Sequence, residues 1–159
     1  MVRLMLVRSA HPSDADGCVD VLALLPEYFT ASTHDEVRRG ISDHVALVAD
    51  VDGTVVGFIL IDRRHRRSAE VSFIAVHPAY RNQGIGSLVL AAALEGLRAD
   101  GVVLVETKTL DATAGYEPYI STRAFWEGRG FVQIDCIDPL PGWDHGNPSA
   151  IYVRALAST

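Results

Sequence analysis

A change of sequence pattern near the middle of the chain restricts the fold more than any other feature. Residues 69–76 form a β-rich run, and Pro78 stops the hydrogen-bond ladder just beyond them. Residues 85–99 are rich in leucine and alanine at helical spacing, and a second apolar strand follows over 102–107. A helix between two such strands predicts a β-α-β unit in which the strands lie parallel.

The segments around this unit add mostly antiparallel strands. Residues 45–50 and 54–62 are two β-rich runs joined by an Asp-Gly turn, which is a strong hairpin signal. The other predicted elements are strands over 2–8, 132–138 and 150–156, helices beginning near 13 and covering 34–41 and 122–129, and loops over 26–33 and 139–148. We therefore predict an α/β (α+β) fold with a mixed, mostly antiparallel sheet of six to seven strands flanked by helices.

Length and composition fit a single domain over 1–159. With 48% hydrophobic residues, the chain has enough apolar material for a layered core. The apolar run at 4–7 is too short for a signal peptide or a membrane span, so we expect a cytoplasmic protein with no membrane partner.

Two classes of partner are disfavoured by charge and residue spacing. The net charge of −6 argues against nucleic-acid binding, and the basic cluster at 63–67 is interpreted as an exposed hairpin tip. Cys18 and Cys136 lie far apart in the sequence, and the six histidines never fall at the i, i+4 spacing of a helical zinc pair. No metal site is expected.

A glycine pair opens the central helix. Without a Cβ, Gly84 and Gly86 let backbone N–H groups converge at the helix N-terminus, which favours an anion such as a pyrophosphate. A Rossmann fingerprint would need a third glycine where Val89 stands, and a P-loop would need a lysine directly after Gly86. On spacing alone, the glycines are equally compatible with close packing of the helix on the sheet.

The segment over 69–86 is similar to the acetyl-coenzyme A signature of the GNAT superfamily of N-acetyltransferases. The core of that signature is Arg/Gln-x-x-Gly-x-Gly/Ala, matched here by Arg81, Gly84 and Gly86. Residues 122–131 resemble the closing helix of the family and its Gly-Phe ending. The resemblance implies acetyl-coenzyme A as cofactor and direct transfer of an acetyl group to a primary amine of a small molecule or peptide.

The resemblance also implies where the cofactor binds. Backbone amides over 83–86 would hold the pyrophosphate, and main-chain groups of the strand ending at Val76 would pair with the pantetheine arm in a wedge between the two parallel strands. The implied cofactor-binding residues are Ile74, Ala75, Val76, Arg81, Asn82, Gln83, Gly84, Ile85, Gly86 and Ser87.

The catalytic residues match the family less closely. Glu70 stands where some members carry a glutamate base, about 13 Å along the strand from Ile74, so it would act through water. Alternatively, Glu70 begins its strand at a solvated edge. Trp126 occupies the position of the usual tyrosine acid and cannot supply a proton at ordinary pH. We predict Tyr119 as the acid, with Tyr116 next.

The acceptor amine is the least specified partner. Tyr28, Phe29 and Trp143 lie in the two predicted loops, with Asp144 nearby, and aromatic and acidic groups suit a cationic amine. Packing within a proline-rich loop explains Trp143 equally well. The main alternative function is a module that binds acyl-coenzyme A without turnover. A third is a nucleic-acid-binding domain that acts through residues 63–67. The sequence is also compatible with a homodimer.

Overall fold

The computed structural model describes residues 3–157 and contains, within them, seven strands and four α-helices. The strands are β1 Met5–Ser9, β2 Val45–Val51, β3 Thr54–His65, β4 Ser68–Val76, β5 Leu104–Leu110, β6 Val132–Ile137 and β7 Ser149–Ala155. The helices are α1 Ala15–Ala23, α2 Ala31–Asp43, α3 Ile85–Ala99 and α4 Tyr119–Glu127. No helix of this part of the chain is long and apolar enough to cross a membrane.

The strands form one sheet in the order β1-β2-β3-β4-β5-β7-β6. Short turns join β2 to β3 and β3 to β4, so these neighbours are antiparallel, while the crossover through α3 makes β4 and β5 parallel. All other neighbouring strands are antiparallel. The predicted mixed, mostly antiparallel sheet with a central β-α-β unit is therefore confirmed.

Two apolar cores cover opposite faces of this sheet. Alternation along β3 sends Ile59 toward the core that contains α3, and it sends Phe58 toward the core that contains α1 and α2. On α3, Val89 and Leu90 are buried against the sheet, as the helical spacing of apolar residues predicts. Because helices protect both faces, the parallel pair in the middle lies inside the molecule.

Several predicted boundaries are wrong by a few residues. Helix α2 begins at Ala31 rather than 34, and α4 begins at Tyr119 rather than 122, directly after a proline whose fixed φ is already helical. Strand β5 begins later than predicted, because the amide of Val102 closes the end of α3 by donating to Leu97. Strand β1 covers Met5–Ser9 instead of 2–8, and Val2 lies outside the described residues.

The basic cluster is only partly a hairpin tip. Strand β3 continues through His65 and β4 begins at Ser68, so Arg66 and Arg67 alone form the turn. His65 still pairs with Ser68 across the end of the hairpin. The first part of the cluster is therefore β-strand, so the exposed hairpin tip predicted over 63–67 is limited to its last two residues.

Candidate active site

Strands β4 and β5 separate partway along their length. Their pairing runs from Ser68 with Leu104 to Val71 with Thr107, after which β4 stays with β3 and β5 stays with β7. The Thr107 hydroxyl donates to the Val71 carbonyl at 3.1 Å and closes the joined part. Beyond this point, main-chain groups of β4 lose their partner strand and face a wedge.

A β-bulge stands at the point of separation. In β4, Val71 pairs with Ile61 and Phe73 pairs with Leu60, which leaves Ser72 as the extra residue. A bulge bends its strand and increases the local twist, and both effects direct β4 away from β5. The antiparallel β3–β4 hairpin thus contains an irregularity next to the residue at which β4 and β5 separate.

The wedge belongs to a cleft of about 810 Å³. Its lining comes from the second half of β4, the turn before α3 and the start of that helix, the middle of β5, helix α4, the loop before α2 and the start of α2, and the loop before β7. The predicted cofactor-binding residues that line it are Ile74, Ala75, Val76, Arg81, Asn82, Gly84, Ile85, Gly86 and Ser87. Gln83 is exposed and is not among the lining residues.

The turn before α3 has the geometry of an anion cradle. Asn82 and Gly84 both have positive φ, 61° and 77°, and Gly84 is the N-cap of the helix. The first turn of α3 contains no acidic residue, and no side chain caps it, so its N–H groups and partial positive charge remain available to a ligand. A Cβ placed on Gly84 would meet no atom within 4 Å, which leaves room for close approach.

The two glycines of the motif do different things. At Gly86 a Cβ would lie 3.1 Å from Cε2 of Phe125, so this position lets α3 and α4 approach closely. Gly84 serves the turn, while Gly86 serves packing. The packing interpretation therefore holds for Gly86, and the ligand interpretation is compatible with Gly84.

Arg129 is a cation at the cradle that sequence reasoning missed. Its guanidinium donates to the Ser87 hydroxyl in the first turn of α3, with Nε at 3.0 Å, and lies 3.9 Å from the centre of the Phe125 ring. A further bond to the Phe125 carbonyl at 3.0 Å fixes it in place. The sequence shows an arginine two residues before Phe131, but only the packing of α4 on α3 brings its guanidinium to the first turn of α3.

The chemistry of the cleft fits the arm and phosphates of coenzyme A. The Thr109 hydroxyl lines the cleft, is buried, and has no hydrogen-bond partner within the described residues. A buried hydroxyl of this kind is costly unless a polar group reaches it, and an amide in the wedge would do so. The open cradle at Gly84 and the guanidinium of Arg129 suit phosphate oxygens.

Glu70 lies outside the cleft, on the joined part of β4. Its Oε2 accepts from the Lys108 ammonium at 2.7 Å and from the Arg64 guanidinium at 3.0 Å. The side chain is buried and lines a second cavity of about 350 Å³ with Glu106. A proton moving to Oε2 would have to compete with these two cations. The sequence did not predict that either cation lies beside Glu70.

Tyr119 lines the cleft at the start of α4. Its phenol donates to the Tyr28 carbonyl at 3.2 Å, and the two rings meet edge-on with centroids 5.2 Å apart. Burial raises the pKa of Tyr119 to about 12, and the neighbouring phenols of Tyr116 and Tyr28 act in the same direction. Tyr116 is more exposed and donates instead to the Glu27 carbonyl at 3.0 Å.

Trp126 is a core residue that also touches the cleft. It is 2% exposed and packs edge-on against Phe125 and Phe131, with centroids at 5.1 and 4.9 Å. The indole thus fills the space between α4 and the sheet. An indole at this position packs well but cannot supply a proton at ordinary pH.

The predicted acceptor residues all line the cleft. They are Tyr28, Phe29 and Trp143, and the carboxylate-bearing residues Glu36 and Asp144 line it as well. The Tyr28 phenol donates to the Pro118 carbonyl at 2.8 Å, which ties the loop before α2 to the start of α4. Segments that are distant in sequence thus contribute aromatic and acidic side chains to one cleft.

Comparisons with known proteins give one family match and many similar folds. Residues 18–131 match the family model described as the acetyltransferase (GNAT) family. A structure from Desulfovibrio desulfuricans assigned to that family is 21% identical, with a TM-score of 0.83, covering 97% of this chain and 100% of that one. Ard1 from Thermoplasma volcanium is 22% identical, with a TM-score of 0.78 and coverage of 97% and 99%.

An aminoglycoside 6'-N-acetyltransferase, solved in complex with coenzyme A, is also similar. It is 19% identical, with a TM-score of 0.75, and the match covers 97% of this chain and 98% of that chain. Likenesses at these identities establish the fold. The family match contains the separated strands, the glycine turn and α4, and it extends over well more than half of the sequence. The chain is therefore a member of the GNAT family of acetyltransferases.

Proposed function

We propose that this enzyme transfers the acetyl group of acetyl-coenzyme A to a primary amine of a small molecule or peptide. The observation that carries the proposal is one continuous cleft that is lined both by the phosphate-type cradle before α3 and by aromatic and acidic side chains. The two sets adjoin, since the Arg81 guanidinium lies 5.7 Å from the centre of the Tyr28 ring. We take the cradle as the cofactor end of the cleft and the aromatic and acidic lining as its acceptor end, and the wedge between β4 and β5 would bring the two reactants together.

The cofactor end needs few side chains. Backbone N–H groups of the first turn of α3 would bind the pyrophosphate, with Arg129 and Arg81 as the nearby cations. Main-chain groups of Ile74 to Val76 would pair with the pantetheine arm as an added strand does, and the Thr109 hydroxyl would gain a partner. Bound acetyl-coenzyme A would supply an activated thioester whose thiol is a good leaving group.

Proton transfer at the acceptor end involves two candidates. Like any tyrosine, Tyr119 is protonated at neutral pH, so its phenol holds a proton for the departing thiolate once it turns from the Tyr28 carbonyl. The burial that raises its pKa makes this phenol a weaker acid than a solvated one. Glu70 would take the acceptor proton through water, in competition with Lys108 and Arg64. A thiol leaves readily, so Tyr119 would accelerate the reaction without being indispensable.

A panel of amines tests this function. Thiol release from acetyl-coenzyme A would be followed with polyamines, aminoglycosides, amino acids and basic peptides, with neutral alcohols as the control class. We expect release with at least one cationic amine, and a higher melting temperature with acetyl-coenzyme A alone, by about 2.7 kcal/mol of stabilisation at a hundredfold excess over Kd.

One observation favours a second function, an acyl-coenzyme A-binding module without turnover: Trp126 stands where the family usually places its acid. Stabilisation by acetyl-coenzyme A with no thiol release across the whole panel would support that alternative. Absence of both effects would contradict both functions.

A further inference from the structure

The chain contains a single lysine. Of its 14 lysine and arginine residues, 13 are arginine and only Lys108 is lysine. Lys108 follows Thr107, the last residue of β5 that pairs with β4, so its backbone stands where the wedge opens. If acetyl-coenzyme A binds in this wedge, the lysine amine lies near the acetyl group and could itself be acetylated.

Lys108 lies between two cavities. The residue lines the cleft, and it also lines the second cavity with Glu70, Glu106 and Arg64. Its Nζ lies 2.7 Å from Oε2 of Glu70 and 2.9 Å from Oε1 of Glu106, and the side chain is 21% exposed. The two carboxylates hold the ammonium on the second-cavity side, so transfer to Nζ requires rotation of the flexible stem toward the wedge.

We propose that Lys108 is an internal acetyl acceptor, and that Glu70 and Glu106 restrain the transfer by keeping the amine protonated and turned from the cleft. The inference rests on the proposed use of acetyl-coenzyme A in that cleft. The ammonium first loses a proton to water. The Nζ lone pair then attacks the thioester carbonyl, the C–N bond forms, the C–S bond breaks, and the second amine proton ends on the coenzyme A thiolate. The products are Nε-acetyl-lysine, free coenzyme A and one released proton.

The surroundings explain the restraint. Burial lowers the pKa of Lys108, but the hydrogen bonds to Glu70 and Glu106 outweigh it, and the pKa lies above the ordinary lysine value. The charged and titratable groups on this side are Glu70 from β4, Glu106 from β5, and Arg64 and His65 from β3, while β7 presents Ile151 and Val153. Only the unprotonated amine is a nucleophile, so transfer should quicken as pH rises.

Acetylation would change the charges beside the cleft. It removes the cation that joins Glu70 to Glu106, and among the described residues it leaves Arg64 as the cation on Glu70. The carboxylate that sequence reasoning assigned as the base would then have one competing cation instead of two. The modification would thus alter the acceptor side of the enzyme while leaving the cradle at Gly84 intact.

The main test uses the intact protein with acetyl-coenzyme A and no added amine. Intact mass would count acetyl groups, and a tryptic map would locate them, because trypsin does not cut after an acetylated lysine. We expect modification at Lys108 that grows with pH and is suppressed by excess coenzyme A. Glu106→Gln should acetylate about 3- to 10-fold faster near pH 8, because it removes one of the two carboxylates that keep the amine protonated, and Lys108→Arg should give no signal at this position.

A second test measures whether coenzyme A shields the Lys108 amine, and it does not depend on acetyl transfer. Reductive methylation with formaldehyde would label Lys108 and the α-amino group of the chain, which serves as an internal reference. We expect coenzyme A to protect Lys108 in the folded protein but not in urea, and to leave labelling of the α-amino group unchanged.

Three outcomes would overturn the inference. One is an unmodified Lys108 in both the wild type and Glu106→Gln at pH 9 although acetyl-coenzyme A raises the melting temperature; the proposed cofactor use then stands. Another is acetylation that excess coenzyme A does not suppress, or that proceeds equally in urea, because this is reagent chemistry outside the site. The last is the absence of both protection and thermal shift, which removes the cofactor proposal as well.

Discussion

Thr107 and Val71 fix the end of the joined region between β5 and β4. The Thr107 hydroxyl donates to the Val71 carbonyl at 3.1 Å, and Thr107 is 3% exposed. The bond supports the sheet at the position where the ladder stops, so the wedge begins at a defined residue. The Thr107 side chain thus stabilises the sheet at the residue where the candidate active site opens.

Thr107→Val should lower the free energy of unfolding by about 1–2 kcal/mol, because it removes the donor and leaves a buried carbonyl with one bond fewer. Thr107→Ser is the matched control, since it keeps the hydroxyl and loses only a methyl group. Urea unfolding of both variants checks this. Equal losses would show that the methyl group, and not the hydrogen bond, stabilises the end of the ladder.

Gly84→Ala should weaken acetyl-coenzyme A binding by at least about tenfold, because a Cβ would occupy the space where a phosphate approaches the backbone. The positive φ adds a strain of about 1–2 kcal/mol. Gly101→Ala, at the other end of α3, is the matched control: its φ of 85° brings the same kind of strain, and its Cβ also meets nothing within 4 Å. Calorimetric titration measures the affinity of both variants for acetyl-coenzyme A. Equal affinities would show that the phosphates do not bind at Gly84.

Tyr119→Phe should reduce kcat for an accepted amine by about 10²-fold while the affinity for acetyl-coenzyme A stays level, because the variant keeps the ring and loses the proton. Tyr116→Phe is the control, since that phenol bonds to Glu27 and lies outside the cleft lining. Steady-state rates of thiol release measure the effect. A normal rate in Tyr119→Phe would remove this residue from proton transfer.

The same substitution should change stability at alkaline pH. In the folded protein the pKa of Tyr119 is raised to about 12, while an unfolded tyrosine has about 10. Above pH 10 the unfolded state loses its proton first, so stability falls as pH rises toward 12. Between pH 8 and 11 the wild type should lose about 1.4 kcal/mol more than Tyr119→Phe. Urea unfolding at both pH values gives this difference, and parallel losses would contradict it.

Asp144→Asn should raise KM for a cationic amine about two- to fivefold with little change in kcat, because one partly solvated charge contact is lost. Asp20→Asn is the control, since Asp20 is exposed on α1 and does not line the cleft. The effect should shrink at high salt as screening increases. An unchanged KM at low salt would exclude Asp144 from acceptor binding.

Local sequence signals determined much of the fold. The range of α3 follows directly from its apolar spacing and terminal glycine, and the hairpin between β2 and β3 follows from its Asp-Gly turn. These features depend on backbone preference and on neighbours within a few residues, so one sequence suffices. The glycine turn and its helix also predicted the cofactor-binding segment, most of which lines the cleft.

Only the tertiary structure determined which residues that are distant in sequence form ion pairs or line the same cleft. Arg129 reaches the cradle because α4 packs on α3, and the two cations on Glu70 come from β3 and β5. The position of Lys108 beside the wedge depends on where the pairing of β4 and β5 ends, next to the bulge at Ser72. Such contacts arise from packing between elements, and no local pattern encodes the distance between them.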